Sequence, residues 1–383
     1  MPSTTIVSGV QYSGIWTMQQ VNAAVAAGTW PVPLGNLFAW GANSQGQLGL
    51  GNTTYFSSPK QVGSLLTWKN LACGQNFTIA TKTDYTLWVW GVNAQGMLGL
   101  GNTTSYSSPK QVGALTTWLV VAAAYRHVIA TKTDGTLWSW GVNSSGQLGL
   151  GDVTNRSSPV QVGALTTWLA VASGFYSTVA TKTDGTLWAW GSGFGGVLGL
   201  GNTTNYSSPK QVGALTTWSK IASYGPTTIA TKTDGTLWAW GQNNTGQLGL
   251  GNVTNYSSPK QVGALTTWLN IASGYSHVIA TKTDGTLWTW GYGAFGQLGL
   301  GDNANRSSPV QVGVLATWLK IAGGTNFTLA TKTDGYLWTW GAGGSGQLGL
   351  SNTTNYSSPK QVGALTTWLN IAGGQNQTIA ATT

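Results

Sequence analysis

A-T-K-T-D-G-T-L-W-T-W-G, residues 280–291, is the stretch on which the fold turns. Asp284-Gly285 suits a tight two-residue hairpin, because both central positions of such a turn can need positive φ. Val278 to Lys282 alternates as a strand before it, and Leu287 to Trp290 makes another after it. Trp288 and Trp290 share one face of that strand, with Leu287 and a small residue on the other. Working outward, Trp268 to Ala272 reads as a strand ahead of the hairpin. Val310 to Val312 follows a Gly/Asn-rich excursion as a short fourth. Pro309, at the start of that last strand, has no N–H to offer a neighbour and fits an outer edge. Residues 267–317 thus describe four antiparallel strands.

The unit then repeats. Its L-G-L block falls at 48–50, 98–100, 148–150, 198–200, 248–250, 298–300 and 348–350, an unbroken spacing of fifty residues. A strict period of this length means one supersecondary unit copied in space, each copy burying apolar faces only against its neighbours. The repeats open at Leu37-Phe38-Ala39-Trp40, in third-strand register, and stop at Thr378-Ile379-Ala380, in second-strand register. The last half-unit can therefore pair with the first, which removes the free edges that invite aggregation. The expected fold is all-β: a seven-bladed β-propeller of four-stranded antiparallel blades over residues 37–383, closed by its two terminal half-blades.

Composition narrows the class further. Charged residues make up 7% of 383, glutamate is absent, and Gly (56) and Trp (22) are abundant. The lone Cys73 rules out an internal disulfide framework. It stands where other repeats carry Ala123, Ser173, Ser223, Ser273 and Gly323, so a small buried side chain is expected. No basic stretch followed by an apolar one opens the chain, and no run reaches the ~20 apolar residues of a membrane span. The Asn-x-Ser/Thr triplets at Asn52, Asn202 and Asn352 are read as products of Asn/Thr-rich turns rather than glycan sites.

W-G-x-N-x-x-G-Q-L-G-x-G, followed by P-x-x-V, I-A-x-G and D-G-x-L-W-x-W-G, resembles the regulator-of-chromosome-condensation repeat over about residues 37–383. The resemblance implies a seven-bladed propeller. The family includes a chromatin-bound nucleotide-exchange factor, a plant ultraviolet-B photoreceptor and secreted inhibitors of β-lactamase, so activity does not carry over with the fold. No inserted wedge or acidic cluster interrupts the period, which argues against nucleotide exchange. Trp68, Trp88, Trp90 and their copies occupy regular strand positions and read as core packing rather than a light-sensing cluster.

Function is sought where the copies differ. One variable window follows strand one, as in Tyr125-Arg126-His127 and Phe175-Tyr176-Ser177; the other follows strand three, as in Gly193-Phe194. In an up-down-up-down blade both turns leave the same side of the disc, and the uniform T-D-G-T hairpins leave the other. The diversified face is expected to gather Tyr125, Arg126, His127, Phe175, Tyr176, Phe194, Tyr275, His277, Tyr292, Phe295 and Phe327. Aromatics and Arg dominate recognition hot spots, and loops on rigid scaffolds carry binding.

Charge adds little. Six Lys/Asp pairs of the T-K-T-D turn cancel, leaving a net charge of +9 spread mostly around the outer segments. This is read as solubility, with no dense basic patch for nucleic acid. Where Lys gives way to Val160 or Val310, an aromatic four residues earlier becomes Arg156 or Arg306, and Asn becomes Asp152 or Asp302. The three linked changes predict an aromatic–Lys stack exchanged for an Asp–Arg pair. No carboxylate pair or phosphate loop stands out, and His127 and His277, three blades apart, are poorly placed to share a metal. The expectation is no enzyme, no cofactor and no metal.

Residues 1–36 do not repeat. Thr17 with Gln20 forms a capping box, Trp16 and Val21 can staple the start, and Gly28 ends a short helix. Met18, Val21 and Val25 form an apolar stripe, and Trp30-Pro31-Val32-Pro33 leads into the ring. Gly9 to Pro31 resembles the starts of structural proteins from tailed bacteriophages. That resemblance implies a virion protein, a capsid or tail appendage anchored to other virion proteins through Trp16, Met18, Val21, Val25 and Trp30. Its disc would be displayed towards a host-surface protein or glycan. The alternative is a free propeller, extracellular or cytoplasmic, acting as a protein-binding regulator or inhibitor.

Overall fold

The computed structural model describes residues 5–7, 10–12, 35–64 and 67–382. Thr5–Val7 and Val10–Tyr12 pair as a short antiparallel ladder where the sequence suggested no strand. The expected helix at 17–28 and the anchoring residues Trp16, Met18, Val21, Val25 and Trp30 lie outside the described residues.

Seven four-stranded antiparallel sheets follow one another along the chain, as the period requires. Blade six is representative: Trp268–Ser273, His277–Lys282, Leu287–Gly291 and Arg306–Gln311. Blade two starts at Trp68, three at Trp118, four at Trp168, five at Trp218 and seven at Trp318. Blade one is composite. Trp368–Gly373 and Gln377–Thr382 join Leu37–Gly41 and Phe56–Gln61, with Leu37 opposite Ala381 and Gly41 opposite Gln377.

The outer strand is longer than the sequence suggested, because it begins at Arg306 rather than Val310. Pro309 therefore sits inside it. Its missing N–H costs nothing there, because the strand pairs with strand three only at Gln311, Val310 and Arg306, across a bulge that skips the intervening residues. In the inner hairpin Gly285 has φ +80°, and a Cβ there would collide with the Ala316 carbonyl of the next blade's approach.

Burial lies between blades. One apolar cluster joins Phe77, Leu87 and Leu98 of blade two to Trp118, Val128 and Trp140 of blade three, and the pattern repeats round the ring. The second Trp of strand three is fully buried in every blade. Its Nε1–H donates to a main-chain carbonyl of the preceding blade: Trp90 to Gln47 at 2.9 Å, Trp140 to Met97 at 3.0 Å, and Trp240 to Val197 at 2.9 Å. Trp40 to Gln347, at 2.9 Å, completes the circle. Indole thus fills the interblade space while its one polar atom is satisfied.

The turn charges cancel in sum without touching. Lys132 Nζ lies 3.5 Å from the Trp138 ring centre and 4.9 Å from that of Trp118. Asp134 instead accepts from the Thr136 N–H and hydroxyl, at 2.9 and 2.6 Å, closing the turn. Five further Lys repeat this cation–π seat, for example Lys282 over Trp288 at 3.5 Å. Among the described residues the ion pairs are Arg156–Asp152 and Arg306–Asp302, each at 2.5 Å. In the Lys-bearing blades the equivalent cation lies over an aromatic ring, as Lys110 does over Tyr106 at 5.4 Å. The exchange expected from the three linked changes is therefore present.

Candidate functional site

The two variable windows do share one side of the disc. The loop after strand three donates back to the turn after strand one within each blade, as Val92 N–H does to Asn76 and Tyr292 N–H to Ser276, at 2.9 and 2.8 Å. The uniform hairpins bond instead to the linkers between blades, as Thr283 N–H does to Thr267 at 2.9 Å. One rim of loops is diverse, whereas on the other the T-D-G-T hairpin changes only at Tyr85 and Tyr336.

At the centre of the diverse rim, the same repeat position from successive blades forms a funnel of about 270 Å³, lined by Gln75, Tyr125, Phe175, Tyr275, Thr325 and Gln375, with Tyr224 from blade five. Backbone bonds between blades hold these turns: Gln75 N–H to the Tyr125 carbonyl at 3.0 Å, and Thr325 N–H to the Gly374 carbonyl at 3.1 Å. Blade five differs because it reads Tyr224-Gly225-Pro226 where its neighbours place a small residue before the bulky one. Gly225 is required there, since a Cβ would collide with the Tyr275 carbonyl oxygen. Tyr224 then lines both the funnel and the tunnel beneath it, beside Cys73 and the inner-strand alanines. Burial pushes the Tyr224 phenol well above its ordinary pKa, so it stays neutral.

The wall is divided. Tyr125 stacks on Phe175 with centroids 4.0 Å apart, and Tyr176 meets both rings edge-on at 5.4 and 4.6 Å. Phe175 reaches across the gap at Gly225 to Tyr275, at 5.4 Å. The Arg126 guanidinium lies 4.8 Å from the Tyr125 ring and donates through Nε to Gln75 Oε1 at 2.9 Å. Opposite stand the uncharged Thr325, Gln375 and Gln75. A trench of about 420 Å³ continues outward between blades four and five, past Phe175, Tyr275, Pro226, Ser192 and Gln242 to Phe194. Phe194 is 67% exposed. Tyr292 and Phe295 form a separate edge-on pair at 6.1 Å in blade six.

Three residues expected on this face lie beneath it. His127, His277 and Phe327 open their second strands and are buried, packed under the turn rather than turned outward. Each histidine Nε2 is 3.0 Å from a threonine hydroxyl of the next blade, Thr178 or Thr328. Those hydroxyls donate onward to the Gln147 and Gln297 carbonyls at 2.8 Å, so Nε2 carries the proton. Burial pushes the His127 pKa down to about 4 and that of His277 to about 3. Conversely, Tyr224, just ahead of the variable window after strand one, and Gln75, Thr325 and Gln375 within that window line the funnel without having been counted among the recognition residues. The inverted order of Tyr224 and Gly225 was the signal that would have found the first. Cys73 is buried, as its small-residue slot suggested, with its thiol pushed up to about 12 by burial. Among the described residues no cluster of His, Cys, Asp or Glu is fit to hold a metal, and no helix is long and apolar enough to cross a membrane.

The Regulator of chromosome condensation (RCC1) repeat matches residues 35–81, 86–131, 134–181, 184–225, 234–281, 284–331 and 334–381. The chain belongs to the RCC1-repeat family. No curated protein matches it by sequence. Among solved structures it is similar to human WBSCR16, at 22% identity and TM-score 0.82 over 91% of this chain and 98% of that one. It is similar also to Saccharomyces cerevisiae Prp20p, a protein described by its binding to Gsp1p and histones, at 21% identity and TM-score 0.82 over 92% of both chains. A structure of Kap60 bound to yeast RCC1 (Prp20) aligns at 20% identity and TM-score 0.81, over 92% of this chain and 89% of that one. At these identities the likeness is one of fold.

Proposed function

We propose that this RCC1-repeat propeller is a non-catalytic recognition module that captures a partner molecule on its diverse rim. The observation that carries the reading is the funnel. Successive blades present one repeat position to a common space, and that position varies while the interblade frame does not. Tyr125, Phe175, Tyr176 and Tyr275 form a continuous aromatic surface there, flanked by Arg126, and the exposed Phe194 borders the trench that leads from it. Large rigid rings give contact area at low entropic cost, which is the make-up of an interface hot spot. No nucleophile–base pair or paired carboxylates accompany them among the described residues, so binding is the chemistry this face supports.

Family membership supports a free-standing protein-binding propeller ahead of the virion appendage implied by Gly9 to Pro31. The proteins of similar fold include ones described by protein partners, Gsp1p, histones and Kap60. The identity of those partners stays with those proteins. Genes for capsid or tail proteins on either side of this one would reverse the order of the two readings. For the face itself, alanine at Tyr125, Phe175 and Tyr275 together is expected to abolish partner capture while leaving the melting temperature within a few degrees. Undiminished capture by that triple variant would remove the face from the function.

A further inference from the structure

We propose that the funnel and the trench between blades four and five form one site for a linear, uncharged oligosaccharide, entered end-first at the propeller axis. The inference rests on the recognition reading above and names its ligand class.

Shape comes first. The funnel and the trench share Phe175 and Tyr275, and together they fall within the roughly 300–1,000 Å³ of ordinary ligand sites. They run together because blade five offers Gly225 and Pro226 where blades four and six raise Phe175 and Tyr275. Tyr224 stands between the funnel and the tunnel beneath it. The result is an elongated slot that is deep at one end and bordered by Phe194 at the other.

Charge excludes the alternatives. Of the eight acidic residues, six lie in the hairpins of the opposite rim and Asp152 and Asp302 are held by Arg156 and Arg306. No carboxylate is free to meet a cationic ligand or a basic peptide. Arg126, the cation beside the funnel, lies over Tyr125 and donates to Gln75 and, at 3.4 Å, to Gln95, and no charged side chain lines the funnel or the trench themselves. What remains is hydrogen-bonding capacity without charge. Gln375 and Gln242 have no side-chain hydrogen bond among the described residues, the Gln75 amide N–H groups are likewise uncommitted, and the Tyr275 hydroxyl adds a group that can donate or accept. Sugar hydroxyls both donate and accept, so amides and phenols match them; the C–H faces of a pyranose match the apolar rings opposite. One aromatic wall, one amide wall and no net charge is the complement of a neutral sugar chain.

The test uses the full chain with linear neutral oligosaccharides of the malto, cello, xylo and chito series, read by calorimetry and by ligand-detected NMR saturation transfer. At least one series is expected to bind, more tightly as the chain lengthens and fills the trench. Phe175→Ala should weaken that binding about tenfold or more, and Gln375→Ala by less; Phe175→Tyr should retain it. Val314→Ser, on the constant rim, should leave it unchanged, and equal melting temperatures separate lost binding from lost folding. Absence of binding across all four series overturns the proposal, as does binding indifferent to Phe175→Ala. If the triple alanine variant loses a protein partner that saturating oligosaccharide does not displace, the sugar assignment fails and the recognition reading stands. If the face variants affect neither, both fail.

Discussion

At the slot that opens each second strand the ring holds Phe77, His127, Ser177, Thr227, His277, Phe327 and Gln377, all buried beneath their turns. Imidazole there is a neutral, hydrogen-bonded space-filler that cannot take a proton without charging a dry site. Its folded-state pKa lies below the unfolded value of about 6.5, so the unfolded chain binds a proton that the folded chain refuses. Stability present at neutral pH is then lost as pH falls from about 6.5 towards 4, the direction set by the extra proton on the unfolded side. Asp134, Asp184, Asp234 and Asp284, held below the ordinary carboxylate range chiefly by their threonine partners, lose their contribution only in more acid solution. Thermal melts between pH 7 and 4 should show a falling melting temperature, and His127→Phe with His277→Phe should flatten that slope. Phe already fills the slot in blades two and seven, so the variants have a native precedent. A slope unchanged in the double variant would assign the acid sensitivity elsewhere. The sequence showed these positions as variable but not as inward-facing, because a residue one step past a turn reads alike whether it ends the loop or begins the strand.

Strand by strand, legibility followed the strength of the local signal. The D-G hairpin and the Trp-x-Trp strand were readable, since both depend on a few adjacent residues. The outer strand was read too short, because a bulge around Pro309 breaks the alternation that marks a strand. The Lys seats were also missed. Lys132 and Asp134 look like a pair in the sequence, yet the threonine two residues on takes the carboxylate and two indoles take the ammonium. The aromatic–Lys to Asp–Arg exchange was legible only because three positions change together in two copies. It makes a direct prediction. Arg156→Tyr alone leaves Asp152 unpaired over Val160 and should cost up to about 1 kcal/mol, the range of an exposed ion pair. Adding Asp152→Asn and Val160→Lys recreates the pattern of the other blades and should restore the midpoint in urea. A single variant as stable as the parent would show the pair contributes nothing.

On the scale of the whole ring, seven blades and their closure could be read directly, since the repeats open at Leu37 and finish at Ala380 in complementary half-registers. What could not be read was the funnel, because its members are fifty residues apart and meet only once the circle shuts. Closure should also dominate stability. Removing residues 377–383 takes away the strand that pairs with Leu37–Gly41 and leaves the Leu37 edge open. The truncated ring should unfold at markedly lower temperature and aggregate in light scattering, even though no blade from two to seven is altered. Retention of the parental melting temperature would mean that the closing ladder is dispensable.

In every Trp bridge the acceptor is a main-chain oxygen, so the joint is indifferent to the side chain it meets: Met97 and Val197 serve as well as glutamine. A gene built of such interchangeable modules can exchange one for another, keeping their number, and still encode a disc that shuts. Novel specificities can then arise by shuffling, without any need to evolve a new core.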